Sequence, residues 1–286
     1  MTNELNNQAA AEMAKAEANV DRCAVRYIDS HCHYDDENFK GNTKTYRDEL
    51  LEEIHAAGVV AAINCASDLK TCESTLKLIQ KHKWMYGAMG VHPHEVKHLD
   101  EDAASAIWEY AEAHPRVCAI GEIGLDYHYD LSPRDLQVDW FIEQIELAKE
   151  MELPIIVHSR DAAQETFDII SEYDAAEVGG VIHSYSGNVE MAKEYVKMGF
   201  CLGIGGMVTF PNTKKLLKVV QEIPLESLLL ETDCPYLTPV PHRGERNDSR
   251  NIVFTAEKIA ELKNVDVQTV YDVTTENAVR VFGIKL

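Results

Sequence analysis

Eight short apolar runs, rich in β-branched residues, recur along the chain and alternate with longer stretches of helical periodicity. The runs are Val25–Asp29, Val59–Asn64, Tyr86–Val91, Val117–Gly121, Ile155–His158, Gly180–His183, Phe200–Gly203 and Leu228–Glu231. Between them lie stretches such as Tyr46–Ala57, Gln137–Met151 and Asn188–Met198, where apolar residues return every three or four positions. Strand-and-helix alternation implies parallel βαβ units, because parallel neighbours need a long crossover. Eight such units in a row predict an α/β fold closed as a (β/α)8 TIM barrel; a doubly wound open sheet is the structural alternative. The 286 residues suit one barrel, a fold that typically takes about 250. Residues 25–286 are therefore expected to form a single barrel domain. Residues 1–24, rich in Ala, Asn and Glu, are expected to be a flexible or loosely helical extension. After the eighth run, Thr238–Arg250 is a loop rich in Pro and Arg, and Ile252–Lys263 and Val267–Val281 read as closing helices.

The bulk properties limit the partners. A formal charge of −21 argues against a protein that coats nucleic acid with a broad basic surface. It does not exclude local grip on a phosphate, since bound cations invert the sign of a site. No apolar run approaches the roughly 20 residues that span a membrane, and the first residues lack a basic start and an apolar core. A cytoplasmic protein without a membrane role or an obligate protein partner is expected. The seven cysteines are odd in number and form no CxxC pair, against a disulfide framework or a zinc finger.

Polar residues gather where the predicted strands end. The first strand runs into Asp29-Ser30-His31-Cys32-His33, the fourth into Gly121-Glu122-Ile123-Gly124-Leu125-Asp126, and the fifth into His158-Ser159-Arg160-Asp161. His183 follows the sixth, and Glu231-Thr232-Asp233 the eighth. In a barrel all these ends open on one face, so residues far apart in sequence converge. Side chains alternate along a strand, so His31 and His33 point the same way and Cys32 the other; by the same logic Cys234 points away from Asp233. The predicted ligand set is His31, His33, Glu122, His158, His183 and Asp233, a donor chemistry suited to Zn, Mn or Fe. Six groups exceed one open tetrahedral site but fit two divalent ions about 3.5–4 Å apart. Glu122 is the expected bridge, because its strand lies between the two halves of the set.

The stretches IDSHCHYDDENF, GVHPHE, IGEIGLDYHYD, LPIIVHSRDA, IHSYSG, LGIGGMVTF, LLLETDCPYLTP, HRGERND and NAVRVFG resemble the successive motifs of the TatD-type deoxyribonucleases, part of the amidohydrolase superfamily. The resemblance covers residues from about 26 to 284, in the family's order. It implies a metal-dependent hydrolase acting on DNA, often as an exonuclease, with two divalent ions (Zn, Mn, Mg or Fe) on the same six residues. The chain departs from the family pattern at Ser184 and Tyr185, where Cys and Phe are usual. It departs again at Asn247-Asp248-Ser249, where Asn-Glu-Pro is usual.

The expected reaction is hydrolysis of a DNA phosphodiester by water activated between two metals. His31, His33 and Asp233 hold one ion, His158 and His183 the other; Glu122 bridges them, and Asp233 also serves as general base. Arg243, in the loop after the eighth strand, is a candidate phosphate clamp, since guanidinium forks match phosphate oxygens; Arg246 is a weaker one. His92 either contacts substrate, as phosphate ligand or leaving-group acid, or supports its neighbours, and His94 is more structural. Asp126 either orients a ligand histidine or serves a turn. Arg160 is expected to pair with Asp161, and Gly203-Ile204-Gly205-Gly206 to allow close backbone packing. The alternative function is another amidohydrolase-type reaction, on an ester, amide or D-aminoacyl-tRNA bond; a non-catalytic metal-binding or interaction protein is a second rival. The sequence carries neither a G-x-S-x-G elbow nor a G-x-x-x-x-G-K-[ST] phosphate loop.

Overall fold

The computed structural model describes residues 26–286; the expected extension over residues 1–24 lies outside them. Eight parallel strands stand in the order β1 to β8: β1 (Tyr27–Cys32), β2 (Val59–Cys65), β3 (Met85–Met89), β4 (Val117–Asp126), β5 (Ile155–Arg160), β6 (Gly180–Ile182), β7 (Cys201–Ile204) and β8 (Leu228–Leu230). The helices that follow them in turn are α1 (Tyr46–Ala56), α2 (Leu69–Lys81), α3 (Ala103–Glu112), α4 (Arg134–Glu150), α5 (Ala163–Glu172), α6 (Val189–Lys197), α7 (Lys214–Glu222) and α8 (Ile252–Lys263), with α9 (Val267–Phe282) last. This is the expected TIM barrel.

β8 is too short to close the ring alone. Closure runs beyond its end, where Asp233 N donates to His31 O (3.0 Å) and His33 N to Cys234 O (2.9 Å). The seam of the barrel therefore joins His31 to Asp233 directly through backbone, and His33 to the residue after Asp233.

Two apolar layers follow from strand alternation. Ile28, Ala61, Ile63, Cys65, Ala88, Cys118, Ile156, Val181 and Leu229 fill the interior, joined by Ala278 and Phe282 of α9 and by Ile284. Tyr86 near the start of β3 is fixed there by a hydrogen bond to Lys285 O (2.9 Å), so the end of the chain plugs the base. The second layer, including Tyr27, Cys32, Val59, Ile120, Ile123 and Leu230, packs outward against the helices. Six free cysteines are buried among the described residues, and no described helix is long and apolar enough to cross a membrane.

Alternation alone does not place the histidines. Ile28 and Cys32 have the same parity, yet Ile28 packs in the inner layer and Cys32 in the outer. A register irregularity between Asp29 and Cys32 accounts for the switch. It turns Cys32 toward Ile63 O (3.1 Å) and His31 and His33 toward the barrel mouth. Three predicted strands also stop short: β1 and β4 run on through His31 and Glu122 instead of ending before them, and β5 continues past its expected end at His158 to Arg160.

Candidate metal centre

His31 Nε2 and His33 Nε2 approach to 3.0 Å. Asp233 Oδ1 lies 3.4 Å from His33 Nε2 and 3.9 Å from His31 Nε2. Glu122 presents its two oxygens to different partners. Oε2 faces His31 Nε2 (3.3 Å) and His33 Nε2 (3.7 Å), while Oε1 faces His158 Nδ1 (2.9 Å) and His92 Nε2 (3.7 Å). Three donor groups result, each with its atoms within 4.8 Å: His31–His33–Asp233, His31–Glu122–His183 and His92–Glu122–His158. The structure thus brings all six predicted ligands together. It does not pair His158 with His183, whose ring centroids are 6.5 Å apart; His183 instead stacks on His31 at 3.5 Å.

The donor set fits divalent cations on a second ground, the groups behind the rings. His33 Nδ1 donates to Cys65 O (2.9 Å), leaving Nε2 as the free donor in the neutral ring. His158 Nε2 meets Asp126 Oδ2 (3.0 Å), leaving Nδ1 toward Glu122. His183 Nδ1 meets the buried Glu231 Oε2 (3.1 Å), leaving Nε2 toward Asp233. Cys65 Sγ lies 3.4 Å from His31 Nδ1. Rear partners that fix tautomer and orientation are what metal-binding histidines use.

His92 differs. Its Nδ1 accepts the backbone N–H of His94 (3.1 Å), so in the neutral ring Nε2 carries a proton and has no lone pair for a metal. Burial holds its pKa well below the ordinary histidine value, favouring that neutral form.

Burial opposes every charge here, but proximity overrides it at several groups. The His33 ring is lifted to about 10 by the Asp233 hydrogen bond and the Glu122 charge. His183 rises to about 9 through Glu231. Nearby imidazoles hold Glu122 and Asp233 below the usual carboxylate range. Burial pushes the Cys32 and Cys65 thiols up, away from ligand thiolates. Asp233 takes φ +57°, a left-handed conformation that Asp tolerates better than most residues.

Asp126 proves to be an orienting carboxylate and a turn residue at once. Oδ2 holds His158 and also His94 (2.9 Å), while Oδ1 accepts the backbone of His128 (3.0 Å) and Tyr129 (2.8 Å). The strand-end pattern does not single out Glu231. The glycine cluster holds its signal: a Cβ on Gly203 would stand 2.1 Å from Glu231 Oε2, so Gly203 makes room for that carboxylate. Asp29 is likewise buried, accepting from Thr232 Oγ1 and Ser249 Oγ, each at 2.6 Å. Ser249, at one of the unusual loop positions, also donates its backbone N–H to Tyr34 OH (2.9 Å), which a proline could not do.

Arg243 is exposed, lies over the Phe210 ring (4.0 Å) and donates to Thr238 O (3.1 Å); no described carboxylate forms an ion pair with it. Arg246 spans Asn38 O and Tyr46 OH. The expected Arg160–Asp161 pair is absent. Asp161 meets His128 Nδ1 (3.0 Å) and Arg160 lies over Tyr129, because neighbours in sequence leave a strand in different directions.

The family model for TatD-related DNases matches residues 28–283. The chain belongs to that family. Within it, the chain is 43% identical to the uncharacterised metal-dependent hydrolase YabD of Bacillus subtilis, over 90% of this chain and 99% of YabD. It is 34% identical to the uncharacterised metal-dependent hydrolase TatD of Mycobacterium tuberculosis, over 90% of this chain and 98% of that one. The solved TatD homologue YjjV of Escherichia coli superposes with a TM-score of 0.84 at 29% identity, covering 91% of this chain and 99% of that one. This TatD-family chain is a metal-dependent hydrolase.

Proposed function

We propose that the chain hydrolyses phosphodiester bonds in DNA, using two divalent cations held by His31, His33, Glu122, His158, His183 and Asp233. The observation that carries the reading is Glu122, whose two oxygens face separate sets of imidazoles, as a shared carboxylate must. When bound, such cations polarise a phosphoryl oxygen and acidify a water. The chain's own groups do the rest. Asp233, kept ionised, accepts a proton from the attacking water at a carboxylate oxygen. His92 Nε2–H, directed toward Glu122 Oε1, donates to a substrate oxygen. Arg243, exposed and without an acidic partner among the described residues, grips a phosphate.

Arg243→Ala tests the substrate class. The variant should keep its metals and melting temperature, and lose DNA hydrolysis by about one to two orders of magnitude, as expected for a charge-assisted hydrogen bond. Its activity should also depend less on salt. Normal DNA turnover with an earlier melt would make Arg243 structural. Unchanged turnover, salt dependence and melting would favour an ester or amide substrate.

A further inference from the structure

Exposed aromatic rings stand beside the metal centre. Tyr129, 54% exposed, follows β4, and Tyr236, 50% exposed, follows β8. With the strands ordered β1 to β8 around the barrel, β4 and β8 face each other across it, so the two rings stand on opposite sides of the mouth.

Both are tied to the centre. Tyr129 N donates to Asp126, the carboxylate behind His158, and the ring lies 5.5 Å from His94 and 4.7 Å from the Arg160 guanidinium. Tyr236 N donates to Asp233 O (2.9 Å), and its hydroxyl to Asp36 Oδ2 (2.8 Å). Held this way, each ring is already ordered, so a ligand that covers it meets less entropic cost. A fixed aromatic face open to water stacks well on a nucleobase. Arg160 and Arg243 add planar positive charge at the same rim of an acidic chain, a combination that suits a nucleic-acid strand better than an apolar protein surface.

We infer that Tyr129 and Tyr236 are base-stacking residues that seat the nucleotides on either side of the scissile phosphate. The inference rests on the phosphodiester reading above. Each ring takes one base, so the two flanking nucleotides are held apart and the bond between them lies over the metals.

An abasic scan tests this. A DNA strand with one preferred cleavage position is prepared as a series, each member carrying a single abasic residue at a successive position. The wild-type enzyme should slow about tenfold in kcat/KM at one position on each side of the bond, the factor that 1.4 kcal/mol of stacking represents. Tyr129→Ala should erase the loss on one side and Tyr236→Ala on the other, and Tyr129→Phe should restore it. Metal content and melting temperature of each variant serve as the folding control. Wild-type cleavage with no position-specific loss, or variants whose scans match the wild type, would overturn the stacking role alone. A wild-type enzyme that cleaves no DNA would overturn the phosphodiester reading and this inference with it.

Discussion

Glu122→Ala removes the carboxylate whose oxygens face both sets of imidazoles. Both ions should be lost together, and turnover with them; metal analysis reads the first and hydrolysis the second. Full metal content with normal turnover would show that no shared bridge exists. Asp233→Asn keeps size and tolerance of the left-handed backbone but cannot take up the proton. Turnover should fall by on the order of 100-fold or more, with the circular dichroism spectrum unchanged. The histidines also set a pH dependence. In the metal-free protein His33 and His183, at about 10 and about 9, stay protonated at neutral pH. Metal must displace those protons, so affinity should rise with pH toward 9 to 10 and fall on acidification; calorimetry in buffers of different ionisation heat would count the protons released. These raised values also stabilise the metal-free fold below the unfolded histidine pKa of about 6.5. That contribution is lost as pH climbs through 9 and 10. A metal-free melting temperature that rises over this window would contradict the assigned pairing.

At the level of strands and helices, the eight apolar runs were legible because buried parallel strands carry continuous β-branched sequence. Their ends were not, because β1, β4 and β5 continue through residues that point into the mouth, where the apolar pattern stops but the ladder does not. That His31 and His33 share one side of their strand was readable from alternation. The register irregularity that separates them from the parity of Ile28 was not, since nothing in Asp29-Ser30-His31 marks it. Glu231 was hidden for a similar reason: its role depends on space left by β7. Gly203→Ala tests that link. The added Cβ should displace Glu231 from His183 and weaken metal binding by about 10–100-fold, the usual cost of losing such a partner. Wild-type affinity in the variant would make Gly203 a packing residue only.

Across the whole molecule, an acidic chain of net charge −21 is expected to repel DNA. The mouth offsets this locally, with His31, His33, His158 and His183 gathered around the Glu122 and Asp233 carboxylates and Arg160 and Arg243 at the rim. Bound cations would add positive charge there, so substrate attraction and catalysis depend on the same ions. The most direct measurement is hydrolysis of an end-labelled DNA strand by chelator-stripped protein as a divalent metal is titrated back. Cleavage should be absent in the stripped protein, return with added metal and level off when the site is filled. Cleavage that is indifferent to metal, or metal-replete protein that leaves DNA intact while hydrolysing a carboxylic ester, would contradict a metal-dependent deoxyribonuclease.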